Sequence, residues 1–202
     1  SYHLSEADFR GTVFADHPCN LAGCNDVLSL TAPHILRDIH KAYLEAGADI
    51  ICANTFSSNA LSLAEYALGH KTEEINRTAV ILAREAVDEF CKNNPGTTRW
   101  VAASIGPTNK SLSMASSLGG QDTLTWDTLT EAYRQQMSAL IESGVDALLM
   151  ETCFDTLNAK SAIYAAIQAM KAAGRRVPLL ISATMNDNAR TLAGQTLLSS
   201  LA

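Results

Sequence analysis

The sequence carries no surplus of positive charge. Fifteen lysines and arginines stand against 21 aspartates and glutamates, a net of −6, which offers no electrostatic footprint for nucleic acid or for an anionic membrane surface. No apolar run approaches the ~18 residues of a membrane span, and the opening SYHLSEADFR has neither the basic nor the apolar region of an export signal. No glycine-rich dinucleotide fingerprint follows any apolar run, and no CxxC or HxxxH spacing announces a metal site. The five cysteines, Cys19, Cys24, Cys52, Cys91 and Cys153, are odd in number and widely spaced. That argues against a disulfide framework and for a reducing, cytoplasmic setting.

What is present is an ordinary globular composition. The 202 residues are 47% apolar and 18% charged, enough to bury a sizeable core. Residues 34–56 start with Ile35, Ile39, Tyr43 and Ala46 at helical spacing, introduced by Thr31 and Pro33. Gly47 then ends the helix, and the short apolar run Ile50, Ile51, Cys52 leads to Asn54 and Thr55. Three more units repeat this plan. Ile75, Ala79, Leu82, Ala86 and Phe90 mark a helix before the strand WVAASIGP. Leu129, Ala132, Tyr133, Met137 and Leu140 mark one before ALLMETCF. A third, capped by Asp155 or Thr156, runs through Ala162, Ala166 and Met170 to Gly174 before VPLLISATM.

Strands that are apolar throughout and alternate with helices are buried on both faces and therefore parallel. The first and third units also echo each other, AYLEAGADIICANTF beside ALIESGVDALLMETCF. The choice lies between a doubly wound sheet and a (β/α)8 TIM barrel. The polar residues that finish every strand favour the barrel, whose active site sits at the strand carboxyl ends. A barrel typically needs about 250 residues, so this length is at the lower limit.

Glu151 closes the apolar run 147–150 and places a carboxylate at the mouth of the sheet. A carboxylate there needs a cationic partner, either a ligand amine or a structural ion pair, unless it caps the following helix. Asn54 and Thr55 either contact a ligand or cap the turn after their strand. The loop Gly106-Pro107-Thr108-Asn109 could offer backbone N–H groups, from its residues other than Pro107, to a carboxylate. The Ser- and Gly-rich run KSLSMASSLGGQDTLT reads as a mobile loop over the mouth or a solvated linker. Cys52 and Cys153 lie near strand ends but read as small hydrophobes rather than metal ligands. Cys19 and Cys24 lack a second ligand pair, and His3, His17, His34, His40 and His70 read as surface or capping residues.

Several segments, taken in order, carry a resemblance: YHLSEADFRG, NDVLSLTAPHILRDIHKAYLEAGADI, ANTF, SIGPTN, METCFDTLNAK and ISATMNDNARTLAGQT. Over nearly the whole chain they resemble the homocysteine-binding region of cobalamin-dependent methionine synthases, within the broader homocysteine S-methyltransferases. The resemblance implies a (β/α)8 barrel with homocysteine at the strand carboxyl ends and its sulfur on a zinc ion. Its amino group would be held by Glu151, with Asn54, Thr55, Gly106, Pro107 and Thr108 lining the pocket. The methyl group would come from methylcobalamin on another domain, recharged by methyltetrahydrofolate, to give methionine. Cobalamin- and folate-binding domains of the full-length protein are the implied partners.

The family's first strand would precede Ser1, and its zinc ligands, one cysteine after the sixth strand and a Cys-Cys pair after the eighth, would follow Ala202. No residue present is expected to ligate metal or to be catalytic. Cys52 and Ala53 stand where the family commonly has Glu-Thr. Residues 1–202 are thus expected to form one partial barrel covering strands two to five, with 1–32 an extended segment and loop and 33–202 the αβ repeats. Such a fragment should be inactive alone. The rivals are a homocysteine methyltransferase using a betaine or S-methylmethionine donor, and a non-catalytic binding module.

Overall fold

The computed structural model describes residues 3–114 and 124–196. Four strands, β1 (Ile50–Ala53), β2 (Trp100–Ile105), β3 (Ala147–Cys153) and β4 (Leu179–Ala183), form a single sheet in the order β1-β2-β3-β4, and every neighbouring pair is parallel. A doubly wound sheet reverses its strand order at a switch point, whereas a barrel adds each strand beside the last. The sequential order therefore defines a partial (β/α)8 barrel. The expected four units are all present.

The helices are α1 (Glu6–Arg10), α2 (Leu28–Thr31), α3 (Pro33–Glu45), α4 (Ala60–Ala64), α5 (Thr72–Asn93), α6 (Trp126–Glu142) and α7 (Thr156–Ala173). Pro33 occupies the first turn of α3, where its missing N–H costs nothing. Thr31 is the last residue of α2 instead of a cap. Asp155 is the N-cap of α7, accepting from the Leu157 N–H at 2.9 Å, and Gly174 ends that helix with a φ of 61°.

Helices α5, α6 and α7 cover one sheet face. Their residues Ala79, Ala83, Tyr133, Met137, Leu140, Ala162 and Ala166 pack on Ile51, Ala53, Val101, Ala103, Ile105, Leu148 and Met150. The alternate residues, Ile50, Cys52, Ala102, Ser104, Leu149, Glu151 and Leu180, share the opposite face by register. The outer strands are less covered: Ile50 is 52% exposed in β1, and Leu180 and Ile181 are 44% and 50% exposed in β4.

Two expectations need correction. Residues 3–32 are not an extended segment. Phe9, Phe14, Leu21, Val27 and Leu28 build a second apolar cluster with Ile35, Leu36, Leu63, Leu68, Ile75 and Leu82, so this stretch folds as short helices because it has its own apolar residues to bury. The buried stripe of α3 is Ile35, Leu36, His40 and Leu44, whereas Tyr43 is 63% exposed and Ala46 is exposed. Spacing alone had favoured the next stripe round. His40, expected at the surface, is 5% exposed.

Candidate functional site

The strand ends converge as the alternation requires. Ser104 faces Leu149 across the β2–β3 ladder, and Glu151 lies two residues further along β3 on the same face. The Ser104 hydroxyl donates to Glu151 Oε1. Glu151 is half-buried and makes no ion pair among the described residues. Among the described residues this carboxylate has one neutral donor and no cationic partner. Immediately after it, Thr152 adopts φ 61° and the β3–β4 register shifts between Met150 and Cys153. A β-branched residue in the left-handed region is rare and strained.

Asn54 and Thr55 flank this face. Thr55 is fully buried, and its hydroxyl donates to the Ser104 carbonyl oxygen at 2.7 Å, tying the end of β1 to β2. Asn54 donates through Nδ2 to the Asn25 carbonyl oxygen at 2.8 Å. Both line a groove of about 430 Å³ along β1 together with Ile39, His40, Phe56 and Ser104.

Pro107 and Thr108 fall elsewhere. They border a separate cavity of about 230 Å³ with Asp26, Glu65 and Tyr66. Burial pushes the Asp26 carboxyl up to about 6, while the Ser57 N–H donated to it at 3.0 Å pulls the other way. Gly106 lines neither space and instead borders a small pocket with Pro107, Tyr133, Met150 and Cys153. Its N–H donates to the Phe56 carbonyl oxygen at 2.7 Å, and its own carbonyl accepts from the Tyr133 hydroxyl at 3.3 Å. Structure thus joins Asn54, Thr55 and Glu151 around Ser104, and sets Pro107 and Thr108 in another wall.

The loop after β2 is pinned to α7. Asp155 accepts from the Ser111 hydroxyl, from the Ser113 N–H at 3.0 Å and from the Ser113 hydroxyl at 2.8 Å. Asn158 accepts from the Leu112 N–H at 2.9 Å and donates to the Lys110 carbonyl oxygen at 2.9 Å. The rest of the Ser- and Gly-rich run, 115–123, lies outside the described residues.

Sequence reasoning missed Ser104, Asp26 and Phe56. A signal existed for the first, since Ser104 is the one hydroxyl in the apolar strand WVAASI.

Among the described residues, no group of three or more His, Cys, Asp and Glu side chains could hold a metal ion. Burial, and then the charge of Glu151, raises the Cys52 and Cys153 thiols, so neither is a ready thiolate. The residues described do not fit a zinc centre. Nor is any helix among them long and apolar enough to cross a membrane.

An all-parallel sheet added strand by strand, with polar groups gathered at the carboxyl ends, places the protein among barrel-type α/β proteins. The homocysteine S-methyltransferase family model matches residues 2–202, and the chain belongs to that family. Among solved structures, the homocysteine methyltransferase MmuM from Escherichia coli in its metallated form is similar, with a TM-score of 0.70 and 24% identity. That match covers 91% of this chain and 64% of that one. The oxidized form gives a TM-score of 0.70 over 94% and 65% of the two chains, and the apo form 0.62 over 89% and 60%. At this identity the likeness is one of fold. This chain spans less than two thirds of the length of those proteins.

Proposed function

We propose that this chain is the part of a homocysteine methyltransferase that holds the substrate's amino group, and that residues 1–202 form one segment of its barrel. Glu151 carries the reading: it is a half-buried carboxylate at a strand end with no ion-pair partner among the described residues. An ammonium ion supplies what such a group lacks. In this reading Ser104 and Thr55 shape the wall beside it, Asn54 lines the adjoining groove, and Gly106 with Pro107 and Thr108 frames the neighbouring loop.

The stretches ADFRG and FDTLNAK favour the methionine synthase branch, in which methylcobalamin on a separate domain donates the methyl group. Zinc in that branch would be held by cysteines outside these 202 residues. The five free cysteines fit a reducing, cytoplasmic setting.

Calorimetry of homocysteine binding to the chain extended to a full barrel tests the reading, with Glu151→Gln beside it. Loss of one charged hydrogen-bonded pair should weaken binding by about 10-fold or more. Equal binding by both proteins would remove Glu151 from the site. Should neither protein bind, a non-catalytic module is the better description. A reading frame that continues into cobalamin- and folate-binding modules supports the cobalamin-dependent donor, and one that ends soon after the barrel supports a betaine or S-methylmethionine donor.

A further inference from the structure

We propose that Ser104 is a positioning residue for the ammonium group of an amino-acid substrate, holding Glu151 by one oxygen so that the other is free to receive the ligand. This rests on reading Glu151 as the amine's partner and goes beyond it by assigning the group that aims the carboxylate.

The register makes the contact. Two residues along a strand span about 6.6 Å, and the Glu151 side chain folds back across that distance onto Ser104, in the next strand on the same face. Ser104 is 6% exposed, so its hydroxyl has little water to turn to. Its main-chain carbonyl is already engaged by the Thr55 hydroxyl at 2.7 Å, which fixes the backbone from which the hydroxyl projects. A hydroxyl has one proton to give, and Glu151 Oε1 takes it.

A neutral donor suits this task better than a cation would. An arginine or lysine at the Ser104 position would neutralise the carboxylate and compete with the incoming ammonium. The serine fixes the orientation while leaving the negative charge intact. A glutamate also has three side-chain torsions whose freedom is lost when a ligand is held. A bond made before the ligand arrives removes part of that loss.

The test is made in the full-length protein by measuring dissociation constants for homocysteine and for its deamino analogue, which keeps the thiol and carboxylate. Ser104→Ala should weaken homocysteine about 10-fold, the size expected for one hydrogen bond to a charged group, and leave the analogue unchanged. Ser104→Thr, which keeps the hydroxyl, should restore the preference for the amine. A merely structural role would weaken both ligands together. If Glu151→Gln loses the preference while Ser104→Ala keeps it, the positioning role is overturned and Glu151 stands. If Glu151→Gln keeps the preference, the amine reading itself falls, and this proposal falls with it. Should Ser104→Ala not fold, Ser104→Cys has nearly the same shape and a much weaker donor, and the same ratio decides the question.

Discussion

The ring of Phe56 lies against the α-carbon of Gly106: a Cβ built on Gly106 would meet ring carbons at 2.6 Å, while the Gly106 N–H donates to the Phe56 carbonyl oxygen at 2.7 Å. The glycine is needed for close approach between the ends of β1 and β2. Gly106→Ala should therefore cost about 1–3 kcal/mol, the usual range for overpacking. Phe56 is 37% exposed, so its ring has solvent to move into, which favours the lower end. Phe56→Ala should remove the clash, and a double-mutant cycle by denaturant unfolding should show the two changes coupled by more than about 0.5 kcal/mol. Additive effects would mean that the glycine serves something other than the ring.

Much of this arrangement is legible in the sequence. Four apolar runs separated by helical spacing, each ending in a polar residue, placed the strands and put Asn54 and Glu151 at their ends. Two kinds of information were not legible. Residues 3–32 build a cluster of their own through contacts with α3, α4 and α5, and such distant pairings leave no local period. The partner of Glu151 depended on a ladder register of Ser104 against Leu149, which no single strand encodes. The buried stripe of α3 is masked in the sequence by its histidine: Leu36, His40 and Leu44 follow helical spacing as well as Ile39 and Tyr43 do.

Asp26 should make the fold less stable as pH rises. Its folded carboxyl is raised from the ordinary 3.8 to about 6, chiefly by burial, so the folded chain binds its proton more tightly than the unfolded chain does. The benefit is fully present below about pH 3.8 and is lost as pH climbs through about 6. A displacement of this size corresponds to a penalty on the order of 3 kcal/mol at neutral pH. Asp26→Asn retains an oxygen for the Ser57 N–H and should stabilise the protein at about pH 8, with little effect near pH 3. Equal urea midpoints for both proteins at the higher pH would contradict this.

His40 should act in the opposite sense. Burial lowers its imidazole from 6.5 to about 4, and Nε2 has no hydrogen-bond partner among the described residues. Its contribution is present above about pH 6.5 and is lost as pH falls toward about 4, because the unfolded chain takes up the proton first. His40→Leu should remove that loss and flatten the acid side of the profile. The windows of Asp26 and His40 overlap between about pH 4 and 6 with opposite slopes. The native protein should therefore vary less there than either single variant, and thermal midpoints across that range would display the compensation.

Asp155 links the mouth loop to the sheet through α7, and its removal should loosen the loop more than the helix. Burial raises its carboxyl, but hydrogen bonds from Ser111, Ser113 and Leu157 outweigh that, and the net direction is downward. A lowered carboxyl stabilises the fold above its ordinary value near 3.8 and gives that up as pH falls below it. Asp155→Ala loses the cap of α7, which alone costs about 0.5–2 kcal/mol, and strands three donors of residues 111–113 besides. Hydrogen exchange separates the two effects. The Ser113 amide, bonded to Asp155 at 3.0 Å, should exchange much faster in the variant. The Leu112 amide, held by Asn158 at 2.9 Å, should change less, and Asn158→Ala should reverse that order. If both amides accelerate equally in both variants, the loop opens only with the whole domain, and Asp155 and Asn158 are caps rather than separate anchors.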